Sequence, residues 1–306
     1  MTADLRHATT IEVIGPTPPE VAAGAAFVLK VKMSCAAGCA LDGMPVTVTA
    51  ADSAVVVSVL GHETAEIALE APRRVGEACW NVACGPHETA GILHEEKTVA
   101  VRADVIPHAT SLAVWAVPSP VVMGEEFGIK VGAKSSAGVA LTGEMIEVCD
   151  EADVVVARGR LGETPLQGTS ALYWSEIALL APAREGVCSW AVKFAPADLD
   201  LPHEPASSTF SVAIVRPPQH RLTIKVVEQE TAAPIANAQL RLGAYRAATD
   251  HAGLAEVDLP AGVYDLGVWK VGYEAPGRTV ELNGDVTVAI EVLRLPEENP
   301  DDAWMM

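Results

Sequence analysis

The sequence predicts an all-β protein of three consecutive β-sandwich domains, the first two being diverged repeats. Three observations predict it. Two long stretches repeat each other. Short runs of alternating apolar and polar residues, bounded by glycine and proline, fill the chain, and no segment of useful length keeps a helical period. A proline pair at Pro217-Pro218 then separates a third segment of different composition. The expected divisions are 1–106, 107–216 and 217–296, with an acidic tail over 297–306.

The repeat is read by laying Gly24 onward beside Gly124 onward. Phe27, Lys30 and Val31 meet Phe127, Lys130 and Val131, and Gly38, Leu41 and Gly43 meet Gly138, Leu141 and Gly143. Further on, Glu66 to Val82 matches Glu176 to Val192, so that Pro72, Gly76 and Trp80 meet Pro182, Gly186 and Trp190. His94-Glu95 also finds a counterpart in His203-Glu204. Agreement spread over two segments of about 100 residues marks an internal duplication.

Each copy reads as a series of strands. FVLKVKMS, MPVTVTA, AEIALEA and KTVAVRA alternate in the first, as FGIKVGAK, MIEVCD, SEIALLA and TFSVAIV do in the second. About seven strands in about 100 residues, with a tryptophan on a late strand (Trp80, Trp190), resembles the immunoglobulin-like and fibronectin-like sandwiches. The Cys…Trp…Cys spacing of antibody domains is missing. Both tryptophans are expected in equivalent core positions, since they share a motif, a strand and a parity.

In the third segment, Pro234-Ile235 precedes the strand AQLRL. Thr249-Asp250-His251-Ala252-Gly253, Leu259 to Tyr264 and Gly272-Tyr273 follow. This pattern, from Leu222 to Leu293, resembles the carboxypeptidase regulatory-like fold, a small transthyretin-like sandwich. The resemblance implies an accessory module without catalytic residues. Asp and Gly in TDHAG predict a tight hairpin.

A formal net charge of −19 repels phosphate backbones and anionic lipid, so neither nucleic acid nor a membrane is the expected partner, and another protein is. The opening residues MTADLRHATTIEV have no basic stretch followed by an apolar one, and no apolar run reaches the roughly 20 residues of a bilayer span. These points lead to an expected cytoplasmic location. The tail PEENPDDAWMM admits a frayed end or a docking peptide built on Trp304, Met305 and Met306.

No phosphate-binding loop, nucleophile elbow or His-Glu-x-x-His helix is present, and the expectation is a protein that is not an enzyme. It is expected to be a binding or scaffolding protein, an accessory subunit of a larger assembly. The alternative is a carbohydrate- or small-ligand-binding protein. His62-Glu63, His94-Glu95 and His203-Glu204 read as solvated turns, the latter two with a shared structural role. The duplication supplies a control for the cysteines. Cys35, Cys39 and Cys84 stand where the second copy has Ser135, Val139 and Phe194, and His87 stands where it has Ala197. In an immunoglobulin-like sandwich the two loops involved cluster at one pole. Cys35, Cys39, Cys84 and His87 are therefore candidate ligands of a structural zinc, three thiolates and an imidazole suiting a tetrahedral site. A Cys35–Cys39 disulfide and unlinked thiols remain the alternatives, and Cys84 shares the parity of Trp80 and Val82, which suits the core. Cys79, Cys149 and Cys188 lack a partner motif.

Overall fold

Alternating side chains and frequent turn residues drive this chain into strands throughout. A computed structural model describes residues 5–14, 18–50, 55–196 and 199–296. The tail and its Trp304, Met305 and Met306 lie outside the described residues.

The first sandwich contains β1 (Leu5–His7), β2 (Thr9–Ile14), β3 (Glu20–Ala22), β4 (Ala26–Cys35), β5 (Pro45–Ala50) and β6 (Val55–Val59). It continues with β7 (Thr64–Glu70), β8 (Gly76–Cys84), β9 (His87–Thr89), β10 (Ile92–His94) and β11 (Lys97–Ile106). One sheet runs β2-β4-β7 and the other β3-β11-β8-β5-β6, while β1, β10 and β9 form a small third sheet. Every second residue of β4 and β8 turns inward. Leu29, Val31, Met33 and Cys35 thus face Ala78, Trp80, Val82 and Cys84 in one closed core.

The second sandwich repeats this plan. Its strands are β12 (Thr110–Trp115), β13 (Val121–Val122), β14 (Glu126–Ser135), β15 (Met145–Cys149) and β16 (Val155–Arg160), then β17 (Tyr173–Leu180), β18 (Gly186–Phe194) and β19 (Ala206–Val215). The orders β12-β14-β17 and β13-β19-β18-β15-β16 are those of the first sandwich strand for strand. Trp80 and Trp190 are 2% and 4% exposed and each meets a phenylalanine edge-on, Phe27 at 5.1 Å and Phe127 at 5.7 Å. In both copies a short strand that follows the first long one pairs parallel with the last strand, β3 with β11 and β13 with β19.

The third sandwich has β20 (His220–Glu228), β21 (Gln239–Leu242), β22 (Tyr245–Ala248), β23 (Leu254–Leu259), β24 (Gly262–Trp269), β25 (Tyr273–Glu274), β26 (Arg278–Leu282) and β27 (Val286–Arg294). Its sheets run β23-β20-β27-β25 and β22-β21-β24-β26. Here the first and last long strands, β20 and β27, are parallel neighbours. TDHAG makes a tight turn, but not a hairpin: β22 and β23 belong to different sheets. Asp250 Oδ1 accepts the amides of Ala252 and Leu254. Gly253, at φ +72°, passes so near Val226 that a Cβ would lie 2.6 Å from its carbonyl oxygen. That approach carries the chain across to the sheet of β20, and only glycine permits it.

The first two sandwiches touch pole to pole. His108 Nε2 donates to the Ala23 carbonyl at 2.7 Å. Beside it, a Cβ on Gly24 would lie 2.9 Å from Leu201 Cδ2. Arg216 links onward, pairing with Glu185 and donating to the Ala261 carbonyl.

Candidate metal centre

The pole of the first sandwich where β4 ends is built by three segments distant in sequence. Thr9 sits opposite Cys35 in the β2–β4 ladder, which places His7, two residues before Thr9, beside the end of β4. The chain then turns, with the Gly38 amide donating to the Cys35 carbonyl, and this turn returns Cys39 toward Cys35. β10 brings the third segment, because it pairs parallel with β1 and sets His94 opposite His7.

Four potential ligands converge as a result. One atom each of His7, Cys35, Cys39 and His94 lies within 4.8 Å of every other. His7 Nδ1 is 3.1 Å from Cys39 Sγ and 3.7 Å from Cys35 Sγ. The two imidazoles meet edge to face with centroids 6.0 Å apart. Backbone hydrogen bonding from Cys39, then from Ala37 and Gly38, holds the Cys35 thiol below the ordinary thiol value against the opposing effect of burial. Burial, and then Cys35 beside it, pushes the Cys39 thiol up. The turn thus favours a thiolate on Cys35, the form that binds metal.

His94 is the anomaly of the site. It is 1% exposed, and neither ring nitrogen has a hydrogen-bond partner among the described residues. The expectation of a solvated turn for His94-Glu95 is corrected: the residue ends a strand and faces inward. A buried polar atom without a partner costs about 1–3 kcal/mol, so its survival needs a cause.

The second sandwich shows what the same position looks like when satisfied. His108 and His203 are paired parallel, as His7 and His94 are. His203 Nδ1 donates to the Leu201 carbonyl at 2.8 Å. Its Nε2 therefore accepts, and Ser135 Oγ donates to it at 2.7 Å. Ser135 replaces Cys35, Val139 replaces Cys39, and both nitrogens of the histidine are occupied by protein.

Of the four ligands expected from the sequence, Cys35 and Cys39 belong to this cluster, and Cys84 and His87 do not. Cys84 ends β8 inside the core, as Phe194 does in the other copy, and burial pushes its thiol up to about 11. It is an uncharged packing group at neutral pH. His87 lies on β9 across from His94. The matched block opens at Gly24, downstream of His7. The signal was there: His7-Ala8-Thr9 and His108-Ala109-Thr110 are the same tripeptide at the same place in each copy.

Neither the scan against protein-family models nor the search of curated proteins returns a match. Solved structures similar to this chain include the major pilin subunit BcpA of Bacillus cereus, 8% identical, covering 94% of this chain and 99% of that one with a TM-score of 0.24. They also include a D1–D4 ectodomain fragment of ICAM-5, 14% identical, covering 94% and 76% with a TM-score of 0.31. Invasin, a bacterial integrin-binding protein, is 14% identical over 90% and 60% with a TM-score of 0.33. The likeness speaks to fold and not to activity. The expected cytoplasmic location is corrected: the solved structures found are of a pilin subunit, an ectodomain fragment and a bacterial integrin-binding protein.

Proposed function

We propose that the chain is a non-catalytic protein-binding or scaffolding protein, an accessory subunit that engages its partner through the edge of the first sandwich. The observation that carries this is a difference between the copies. β6 ends its sheet, pairing with β5, and Val55, Val57 and Val59 are 59%, 62% and 58% exposed. Val57 lies opposite Thr47 and Val59 opposite Pro45. At the same register of the second copy stand Arg158, opposite Glu147, and Arg160, opposite Met145. Arg158 is ion-paired with Glu147 at 2.9 Å. Sheet edges are ordinarily protected by charge. The second copy keeps that protection and the first presents valines, which suits an extended segment of another protein laid along the edge.

The duplication and the divisions at 106/107 and 216/217 belong to the same proposal. So does the third sandwich as a carboxypeptidase regulatory-like accessory module, a reading supported by the turns around Asp250 and Gly262. The test gives the first copy the second copy's edge. The tagged full chain and its Val57→Arg/Val59→Arg variant are cross-linked in the source cells. The expected result is a protein held by the wild type and lost by the variant. Equal capture by both removes the edge from the proposal. Reversible self-association abolished by the same variant replaces the accessory-subunit reading with self-assembly.

A further inference from the structure

We propose that His7, Cys35, Cys39 and His94 bind one zinc ion in a closed tetrahedral site that fastens β1 and β10 to the pole of the first sandwich. The inference stands apart from the edge-strand proposal and rests on three observations. The ligand atoms of all four residues already lie within 4.8 Å of one another. Among the described residues the buried ring of His94 has no hydrogen-bond partner at either nitrogen, whereas the matching ring of His203 has one at both. The histidine pair occurs in both copies, and beside it Cys35 and Cys39 stand where the satisfied counterpart has Ser135 and Val139.

The geometry fits the ion. Zinc holds thiolate sulfur at about 2.3 Å and imidazole nitrogen at about 2.0–2.1 Å, which makes the edges of a Cys2His2 tetrahedron roughly 3.3–3.8 Å. Of the observed His7 Nδ1 separations from the two sulfurs, 3.7 Å falls inside that range and 3.1 Å just short of it, and every other pair of ligand atoms lies within 4.8 Å. Two soft and two borderline donors favour zinc over magnesium or calcium, which take oxygen. Binding turns both thiols into thiolates and releases their protons to solvent, and no electrons move. Four protein ligands leave no position for water or substrate, so the ion is structural.

The two copies solve the same problem by different means. At the second pole Ser135 occupies one nitrogen of His203 and the Leu201 carbonyl the other, and His108 reaches the Ala23 carbonyl of the neighbouring sandwich. At the first pole the metal takes the place of these hydrogen bonds. It joins segments that are far apart in the chain, so its binding free energy appears as folding free energy of the first sandwich.

The test uses the full chain purified under reducing conditions without chelator. Zinc content is measured on the wild type, Cys39→Val, Cys84→Val and His87→Ala. The valine of Cys39→Val is the residue of the other copy. About one equivalent of zinc is expected in the wild type and in the last two variants, and less than about a tenth in Cys39→Val. In parallel, cobalt(II) is substituted into the wild type and the sulfur-to-cobalt charge-transfer intensity read, so that a poorly folding variant does not decide the matter. Intensity for two thiolates is expected; three would reinstate Cys84 and overturn this ligand set. Chelator should increase hydrogen exchange in β1 and β10 and leave β12 unchanged. Zinc below about a tenth of an equivalent after reduction and zinc addition overturns the proposal. So does a Cys35–Cys39 disulfide in protein taken directly from its source, or full zinc retention by Cys39→Val.

Discussion

Thr249 ties two segments of the third sandwich together by a single hydroxyl. Its Oγ1 donates to the Ile235 carbonyl at 2.6 Å and accepts the Ala238 amide at 2.8 Å. Thr249 and Ala238 are almost fully shielded from water, and Ile235 is buried with them. Thr249→Val keeps the shape and removes the hydroxyl. It leaves a backbone carbonyl and a backbone amide without that partner in a place water does not reach. Each such loss costs about 1–3 kcal/mol, and the added methyl returns less than about 1 kcal/mol. The expected net loss is about 2–4 kcal/mol. In a domain of this size that corresponds to a fall in melting temperature of roughly 8–30 °C. Calorimetry of the full chain, with hydrogen exchange read over β20 to β27, assigns the loss to the third sandwich. Thr249→Ser keeps the hydroxyl and should recover most of the stability. A Thr249→Val protein within about 0.5 kcal/mol of wild type, or a serine variant that falls as far, refutes the reasoning.

Trp80→Ala and Trp190→Ala should each destabilise by about 3–5 kcal/mol in chemical denaturation, because each empties the centre of a closed core. A much smaller loss at one site would show that the two cores are not equivalent. Gly24→Ala should cost more than Gly124→Ala. Both glycines have positive φ, but only the first would drive a methyl into Leu201; equal melting temperatures would mean that the contact yields freely. Cys84 adds a pH dependence. Its folded thiol titrates near 11 and the free thiol near 9. Between those values the unfolded chain has released a proton that the folded chain keeps, so stability is full below about pH 9 and falls as pH rises to 11, by up to about 2–3 kcal/mol. Cys84→Val should lack that part of the alkaline loss, and parallel curves for the two proteins would exclude Cys84 as its source.

Much of the fold was legible because two long segments of the chain align with each other. The matched glycines and prolines mark turns, the tryptophan strands mark the core, and period-two alternation separates inside from outside. The parity argument placed Cys84 beside Trp80 in the core, which proved the stronger of its two readings. The candidate metal site was only half legible, for a physical reason. Cys35 and Cys39 are local to one turn, and a short spacing shows that. His7 and His94 are brought there by parallel pairing of two three-residue strands at opposite ends of the domain. No local periodicity reports such a pairing. The turn at TDHAG failed differently, since Asp and Gly fix how sharply the chain turns but not which sheet it enters.

Parallel pairing of first and last strands has a mechanical consequence. In the third sandwich the entering strand β20 and the leaving strand β27 run the same way side by side. A chain so arranged enters at one end of a domain and leaves at the other, and tension along it slides the two strands past each other. All the hydrogen bonds between them then bear load together, instead of opening one after another like a zip. The register between them is long, Leu222 to Glu228 matching Val286 to Val292, so the load is shared along the whole length of the pair.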